Sequence, residues 1–250
     1  MKRRDGRVST QAGEGPDDRA LLPAVPAIDA TSLIDDARRI GLSFDWPAAE
    51  KLLAYLGLLQ RWNGTYNLTA VREPAAMYVH HLLDCLAVLP PLRRVLGDRS
   101  ARIADVGSGA GLPGVVIAVL CPHLNVTCID TVGKKVAFVR QVGAELCLRN
   151  LRAEQGRVES LQPVVPFDLI TSRAFASLLD FVQLTRPLLA PHGIWMAMKG
   201  KVPEDEIAAL PPSVEVFHVE QLHVPELQAD RCLVWMRPRA GEGDPDVRHR

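Results

Sequence analysis

Between residues 32 and 95 apolar residues recur at three- and four-residue spacing, and from residue 102 onward they gather into short runs separated by amphipathic stretches. The first pattern predicts helices with one apolar face, the second predicts buried parallel strands alternating with helices. A short helix fits Ser32 to Ile40 and is stopped by Gly41. Asp45 followed by Pro47 opens a second helix, to about Trp62, in which Leu52, Leu53, Leu56 and Leu59 recur at helical spacing. A third is expected from Pro74 to Leu89, with Met77, Leu82, Leu86 and Leu89 repeating the spacing. Strands are predicted near 102–106, 125–129, 152–156, 168–172, 193–199, 214–222 and 231–236, and helices near 113–120, 133–147 and 177–189.

This alternation is the signature of βαβ units and a parallel sheet. It divides the chain into a flexible N-terminal arm (1–28), a helical N-terminal cap (29–95), an α/β domain (96–237) and a mobile tail (238–250). The arm carries Gly, Pro, Asp and Arg with little periodic apolar content, too little buried surface to offset the entropy of ordering it. No internal repeat appears.

The 250 residues suffice for one sizeable core, and their 29 Lys+Arg balance 29 Asp+Glu. A neutral total argues against a uniformly basic nucleic-acid coat, since phosphate affinity comes largely from Lys and Arg displacing counterions. The balance is uneven: residues 61–200 hold 15 basic and 10 acidic side chains, whereas 201–236 hold 2 and 7. Either this is scatter over solvated surface, or a basic working face on the central domain is masked in the total by an acidic segment. Five cysteines, Cys85, Cys121, Cys128, Cys147 and Cys232, show no CxxC spacing, so neither a disulfide framework nor a zinc site is indicated. The longest apolar run, Val115 to Cys121, is too short to span a bilayer, and no apolar stretch follows the basic start Lys2-Arg3-Arg4. The expectation is a soluble, reducing, cytoplasmic protein.

Candidate chemistry centres on Ile103-Ala104-Asp105-Val106-Gly107-Ser108-Gly109-Ala110-Gly111-Leu112-Pro113-Gly114, a strand running through a glycine turn into a helix. Glycines permit a tight turn and close approach of a ligand to the backbone. Asp130 ends the next strand, where a carboxylate accepts hydrogen bonds from both hydroxyls of a ribose. The two together predict a nucleoside-cofactor site. Gly109, Gly111 and Gly114 also satisfy GxGxxG, so a nicotinamide-dependent oxidoreductase is the alternative. An acidic strand end just ahead of Gly107 instead suits the ammonium and sulfonium of S-adenosylmethionine.

Successive motifs sharpen this. Asp105 to Gly114, Asp130-Thr131-Val132-Gly133-Lys134-Lys135, Phe138-Val139-Arg140-Gln141-Val142 and Ser172-Arg173-Ala174-Phe175-Ala176 resemble those of the ribosomal RNA small-subunit methyltransferase G family, also called glucose-inhibited division protein B. The likeness includes Trp62-Asn63, Tyr66-Asn67-Leu68-Thr69, His81-Leu82-Leu83-Asp84 and Lys199-Gly200, and covers about residues 32–237. It implies a class I S-adenosylmethionine-dependent methyltransferase fold, Rossmann-like with a seven-stranded, mostly parallel sheet, and a helical N-terminal extension. The implied activity is methylation of guanine N7 in the 530 loop of 16S rRNA, at the nucleotide usually counted 527. The partner is then 16S rRNA in the small ribosomal subunit or its assembly intermediate, with no metal and no membrane.

Carried over position by position, the family's cofactor contacts fall on Gly107, Leu112, Val158, Glu159 and Arg173, to which ribose chemistry adds Asp130. Ser108, Ala110, His80, Cys85 and Thr131 depart from residues frequent in the family. Arg173 is expected to meet cofactor or rRNA, and Lys199, at another strand end, an rRNA phosphate. Phe175 either stacks on a base or packs in the core. His80, His81 and Asp84 read as polar contacts on a helix surface rather than metal ligands, because no further ligands occur at metal-site spacing. Lys134, Lys135, Arg140, Arg149, Arg152 and Arg157 supply much of the basic excess and either meet rRNA or line a solvated face. No catalytic acid or base is expected, since guanine N7 carries a lone pair and no proton. A non-enzymatic ribosome-assembly factor with the same fold is the second alternative. On the neutral total charge, affinity for 16S rRNA should fall only gently between low and moderate salt; a steep slope in a filter-binding titration would show that a concentrated basic face had been missed.

Overall fold

The computed structural model describes residues 28–173, 175 and 177–239. The arm and tail read from the sequence therefore lie, apart from Ile28, Pro238 and Arg239, outside the described residues.

The N-terminal segment is helical. Helix α1 (Ala30–Arg39) starts in a capping box, Asp29 accepting from the Ser32 N–H while the Ser32 hydroxyl accepts from the Asp29 N–H. Helix α2 (Trp46–Tyr66) is capped by Asp45, whose carboxylate accepts from the Ala48 N–H at 3.0 Å. It continues a turn beyond the expected end because Trp62 packs on Tyr66, ring centroids 5.0 Å apart, and the Asn63 amide ties down the following loop at Thr69 and Val71.

The third expected helix is interrupted. An α-turn, α3 (Pro74–Met77), widens into a π-helix over Tyr78–Leu83, returns to α geometry in α4 (Asp84–Leu86), and gives way to α5 (Leu89–Leu96). Pro90 and Pro91 account for the break: lacking N–H groups they cannot extend the preceding helix, but they suit the first turn of a new one. The span Pro74–Leu96 is long and apolar enough to cross a membrane by length and composition, yet most of it is buried inside the protein, which accounts for its apolar content.

Seven strands follow: β1 (Arg102–Val106), β2 (Asn125–Asp130), β3 (Leu151–Gln155), β4 (Phe167–Ser172), β5 (Leu189–Lys199), β6 (Val214–Gln221) and β7 (Cys232–Pro238). They form one sheet in the order β3-β2-β1-β4-β5-β7-β6. The β1–β5 pairings are parallel, and β7 inserts antiparallel to both β5 and β6. The order reverses between β1 and β4, which is where open α/β sheets bind ligands, beyond the carboxyl ends of the strands.

Helices α6 (Gly114–Leu120) and α7 (Gly133–Glu145) cover one face, and α8 (Leu178–Thr185) with the short α9 (Glu204–Ala208) covers the other. The N-terminal helices complete the first face. One buried cluster runs from Leu52 and Leu59 of α2 and Leu82 and Leu86 of the third segment through Val116 and Phe138 to Met196 of β5 and Trp235 of β7. The helical segment and the sheet thus share a single core.

Phe138 joins them directly: fully buried on α7, its ring lies 5.5 Å from Trp62 and 6.1 Å from Tyr55, both on α2. Phe138→Ala is expected to lower stability by about 3–5 kcal/mol, the usual range for emptying a buried aromatic site. Urea unfolding followed by fluorescence and by circular dichroism should still show one coincident transition; separate transitions would show that the helices and the sheet fold independently.

Candidate active site

The turn after β1 is built by its glycines. Gly107 and Gly109 have φ of +67° and +59°, a region that disfavours side chains, and a Cβ at either would meet nothing within 4 Å. Their Cα atoms thus border open space, as a close-lying ligand requires. Gly114 is small for a different reason: a Cβ there would fall 2.5 Å from Cys128 Sγ and 2.9 Å from Asp105 Oδ2. From α2, the buried Tyr55 hydroxyl donates to the Ala110 carbonyl at 3.0 Å and holds the turn from outside.

Asp105 is fully buried at the end of β1, and its Oδ2 accepts the Gly114 N–H at 2.8 Å. The start of α6 is therefore already occupied by a carboxylate, which disfavours a pyrophosphate there and with it the dinucleotide reading of Gly109, Gly111 and Gly114. The other oxygen, Oδ1, is buried and has no hydrogen-bond partner among the described residues. Burial pushes the Asp105 carboxyl up to about 7; Asp130 adds to that, while the Gly114 N–H and Arg173 oppose it. Thr171, aligned with Asp105 across the β1–β4 pairing, and the adjacent Ser172 also bury hydroxyls without partners. Such orphaned groups call for a polar ligand, and an acidic one fits the ammonium and sulfonium of S-adenosylmethionine.

Asp130, at the end of β2, lies beside the same turn, accepting from the Gly109 N–H through Oδ2 and from the Val132 N–H through Oδ1, each at 2.9 Å. Each carboxylate oxygen keeps a further lone pair for a ribose hydroxyl. Val158, in the 3-10 turn after β3, is buried in one cluster with Val106 and Ile129, and Glu159 next to it is exposed. Leu112, which precedes Pro113 at the end of the turn, is buried. Gly107, Asp130 and Val158 thus gather at the carboxyl ends of β1–β3, on one side of the order reversal.

Arg173 and Lys199 stand on the other side. A cavity of about 390 Å³ there is lined by His80, His81, Asp84, Arg173, Lys199 and Arg231, among others. Arg173 donates to the His80 carbonyl at 3.1 Å and lies 3.6 Å from Asp84 Oδ2, while Arg231 Nε donates to Asp84 Oδ1 at 2.8 Å. Burial opposes the Arg173 charge, but Cys85, Asp84, Tyr55 and Asp105 outweigh it and raise its pKa. Lys199 is not a free cation: both Glu206 carboxylate oxygens accept from it, at 3.0 and 2.8 Å.

His81 and Asp84 are not on a helix surface as the spacing suggested. Both are buried, His81 on the π-helix and Asp84 on the α-turn that follows it. His81 shares a 2.8 Å hydrogen bond with Thr69, and burial together with Arg173 lowers its pKa to about 4, so it is neutral. Phe175 packs against Phe181, centroids 5.4 Å apart. Of the basic residues on the α7 side, Lys135 approaches Asp130 at 3.7 Å and Arg140 donates to the Ala153 carbonyl, which places them beside β2 and β3 and not at the cavity. Sequence reasoning missed Tyr55 and Arg231. Arg231 arrives through the antiparallel register that sets Cys232 opposite Lys199, and no local motif signals it.

A family profile described as rRNA small subunit methyltransferase G matches residues 48–234. The ribosomal RNA small subunit methyltransferase G of Leptothrix cholodnii is 59% identical over 212 residues, covering 85% of this chain and 97% of that protein. The protein of the same name from Methylibium petroleiphilum is 58% identical over 207 residues, covering 83% and 93%. Among solved structures, TrmN from Thermus thermophilus matches with a TM-score of 0.50 at 21% identity, covering 62% of this chain and 48% of that chain, a likeness of fold.

The raised Asp105 pKa has a direction that can be measured. A carboxyl whose folded pKa exceeds its unfolded value favours the ligand-free fold at low pH, and that contribution fades as pH rises from about 4 to about 7. A cationic ligand favours the ionised form, so affinity for S-adenosylmethionine should rise with pH up to about 7, by at most about tenfold per unit, with a proton released on binding. Calorimetry in buffers of different ionisation heat checks this, and Asp105→Asn should remove both the slope and the proton.

Proposed function

The chain belongs to the rRNA small subunit methyltransferase G family, and we propose that it transfers the methyl group of S-adenosylmethionine to N7 of a guanosine in 16S rRNA, the nucleotide usually counted 527 in the 530 loop. The single observation that carries this reading is the family match over residues 48–234, joined to an acidic, glycine-lined turn with an unsatisfied buried carboxylate oxygen.

In this reading S-adenosylmethionine supplies an activated methyl group on a sulfonium. Asp105 faces its positive charge, Asp130 accepts from the ribose hydroxyls, and Val158 with Glu159 borders the adenine. Gly107 lets the backbone approach closely, and Leu112 closes the turn beside it. On the far side of the order reversal, Arg173 lies 3.6 Å from Asp84 in the cavity lining and feels the charge of Asp105, and from there it holds the target nucleotide against the donor.

The chemistry asks little of acid or base. Guanine N7 presents its lone pair in the ring plane, so nothing has to remove a proton before attack. The contribution of these residues is alignment, together with negative potential for a purine that becomes cationic as it is methylated. Arg173 is a positioning residue, and Lys199 acts through Glu206 to shape the edge of the cavity. The biological substrate is 16S rRNA in the small subunit or an assembly intermediate.

Primer extension after reduction and cleavage at 7-methylguanine, comparing a deletion strain with its complemented form, tests the activity; a stop at this nucleotide that persists in the deletion strain would overturn it. Arg173→Ala should remain folded, lose most methylation, at least about a hundredfold, and weaken S-adenosylhomocysteine binding, since it deletes a charge-assisted contact. Wild-type turnover in that variant would refute the role.

A further inference from the structure

Both purines carry an N7, so a methyltransferase that acts only on guanine must tell the two apart at another edge of the ring. Guanine presents two donors there, N1–H and the 2-amino group, whereas adenine presents an unprotonated N1 acceptor. An ionised carboxylate is acceptor-only and can take both guanine donors, one on each oxygen or both on neighbouring lone pairs. Opposite adenine N1 the same carboxylate faces a lone pair.

The cavity beyond β4 and β5 contains such a group. The Asp84 side chain is 4% exposed and ion-paired on two sides, with Arg231 Nε at 2.8 Å from Oδ1 and Arg173 Nη1 at 3.6 Å from Oδ2. Oδ2 accepts no hydrogen bond among the described residues, and Asp84 is part of the cavity lining. Val71 and Met198 give the same cavity an apolar wall, and a space of about 390 Å³ admits one extruded base. Arg173 links this carboxylate to the cofactor side, being held by Asp84 and influenced by Asp105.

We infer that Asp84 is a specificity-determining residue that binds the N1–H and 2-amino edge of the target guanine, fixed in place by Arg173 and Arg231. This deepens the guanine-N7 reading above and rests on it. The arginines hold the carboxylate rigid, and Oδ2, ion-paired with Arg173 at 3.6 Å but taking no hydrogen bond from it, is the oxygen that accepts from the base.

The test uses the full-length enzyme under single-turnover conditions on small-subunit particles reconstituted with 16S rRNA carrying either guanosine or inosine at the target nucleotide. Inosine keeps N7 and N1–H but lacks the 2-amino group. The wild type should methylate guanosine roughly ten- to a hundredfold faster, the effect of one lost buried hydrogen bond to a charged partner. Asp84→Asn should slow the guanosine reaction and bring the ratio close to one at saturating S-adenosylmethionine, where any loss of cofactor affinity through Arg173 affects both substrates alike. Asp84→Glu, which keeps the carboxylate, should retain the preference at a lower rate. A merely structural Asp84 would lower both reactions equally in Asp84→Asn and preserve the ratio, which would overturn the proposal. A wild-type ratio near one overturns it whether or not Asp84→Asn folds. A wild type that leaves the guanosine particle unmethylated would overturn the activity itself, and this inference with it.

Discussion

Everything at the carboxyl end of the sheet depends on one contact, the Asp105 carboxylate on the Gly114 N–H at 2.8 Å. It ties the end of β1 to the first turn of α6 across the glycine loop, and it works only because residue 114 has no Cβ to strike Asp105 or Cys128. A buried carboxylate with one satisfied oxygen is costly, and the cost appears as a pKa lifted to about 7. The helix start cannot also welcome an anion. The fold therefore selects the class of cofactor through its own strain: a cation relieves Asp105, whereas a pyrophosphate would aggravate it. Tyr55 completes the constraint by anchoring Ala110 from α2, which makes the N-terminal helices part of the cofactor loop's support.

The neutral overall charge has a structural explanation. Within the acidic stretch 201–236, Glu206, Glu215, Glu220 and Glu226 pair with Lys199, Arg237, Arg94 and Arg39. These carboxylates are engaged with cations and do not form a bare acidic face. Exposed pairs of this kind add little stability, but they cancel local field, so the sum over the chain says little about any one surface. Lys135 of α7 lies beside Asp130 at the carboxyl end of β2, Arg152 of β3 shares a groove with Arg102 and Asn125 at the amino ends of the strands, and the paired charges around Asp84 stand apart from both. An RNA meeting such a surface is recognised more by fit than by bulk attraction.

Much of this was legible in the sequence, and the reason is locality. The capping residues Asp45 and Pro47, the glycine loop and Asp130 act within a few residues of where they stand, and the alternating apolar runs gave all seven strands to within a few positions. What escaped were features set by distant contacts. The π-helix over Tyr78–Leu83 looks like any apolar helix in the pattern, so the burial of His81 and Asp84 could not be foreseen. Lys199 was read as a phosphate contact with no sign of its pairing to Glu206, which comes from an unrecognised five-residue helix. Arg231 enters only through the antiparallel insertion of β7.

The same distance dependence explains why the Asp84 cluster is best understood as functional. Its three charges come from the α-turn after the π-helix, the residue following β4 and the residue preceding β7, segments that meet only in the finished fold. Taking a carboxylate and two guanidinium groups largely out of water is expensive, and apolar residues of similar volume would commonly hold such a junction as well or better. The neighbouring core uses that alternative, with Leu82, Leu86 and Leu233 all fully buried. Packing alone therefore does not account for an ion-paired carboxylate at this junction. A site that must present a rigid acceptor to a base does, because each arginine fixes one oxygen's direction while the cavity leaves the remaining lone pairs unfilled.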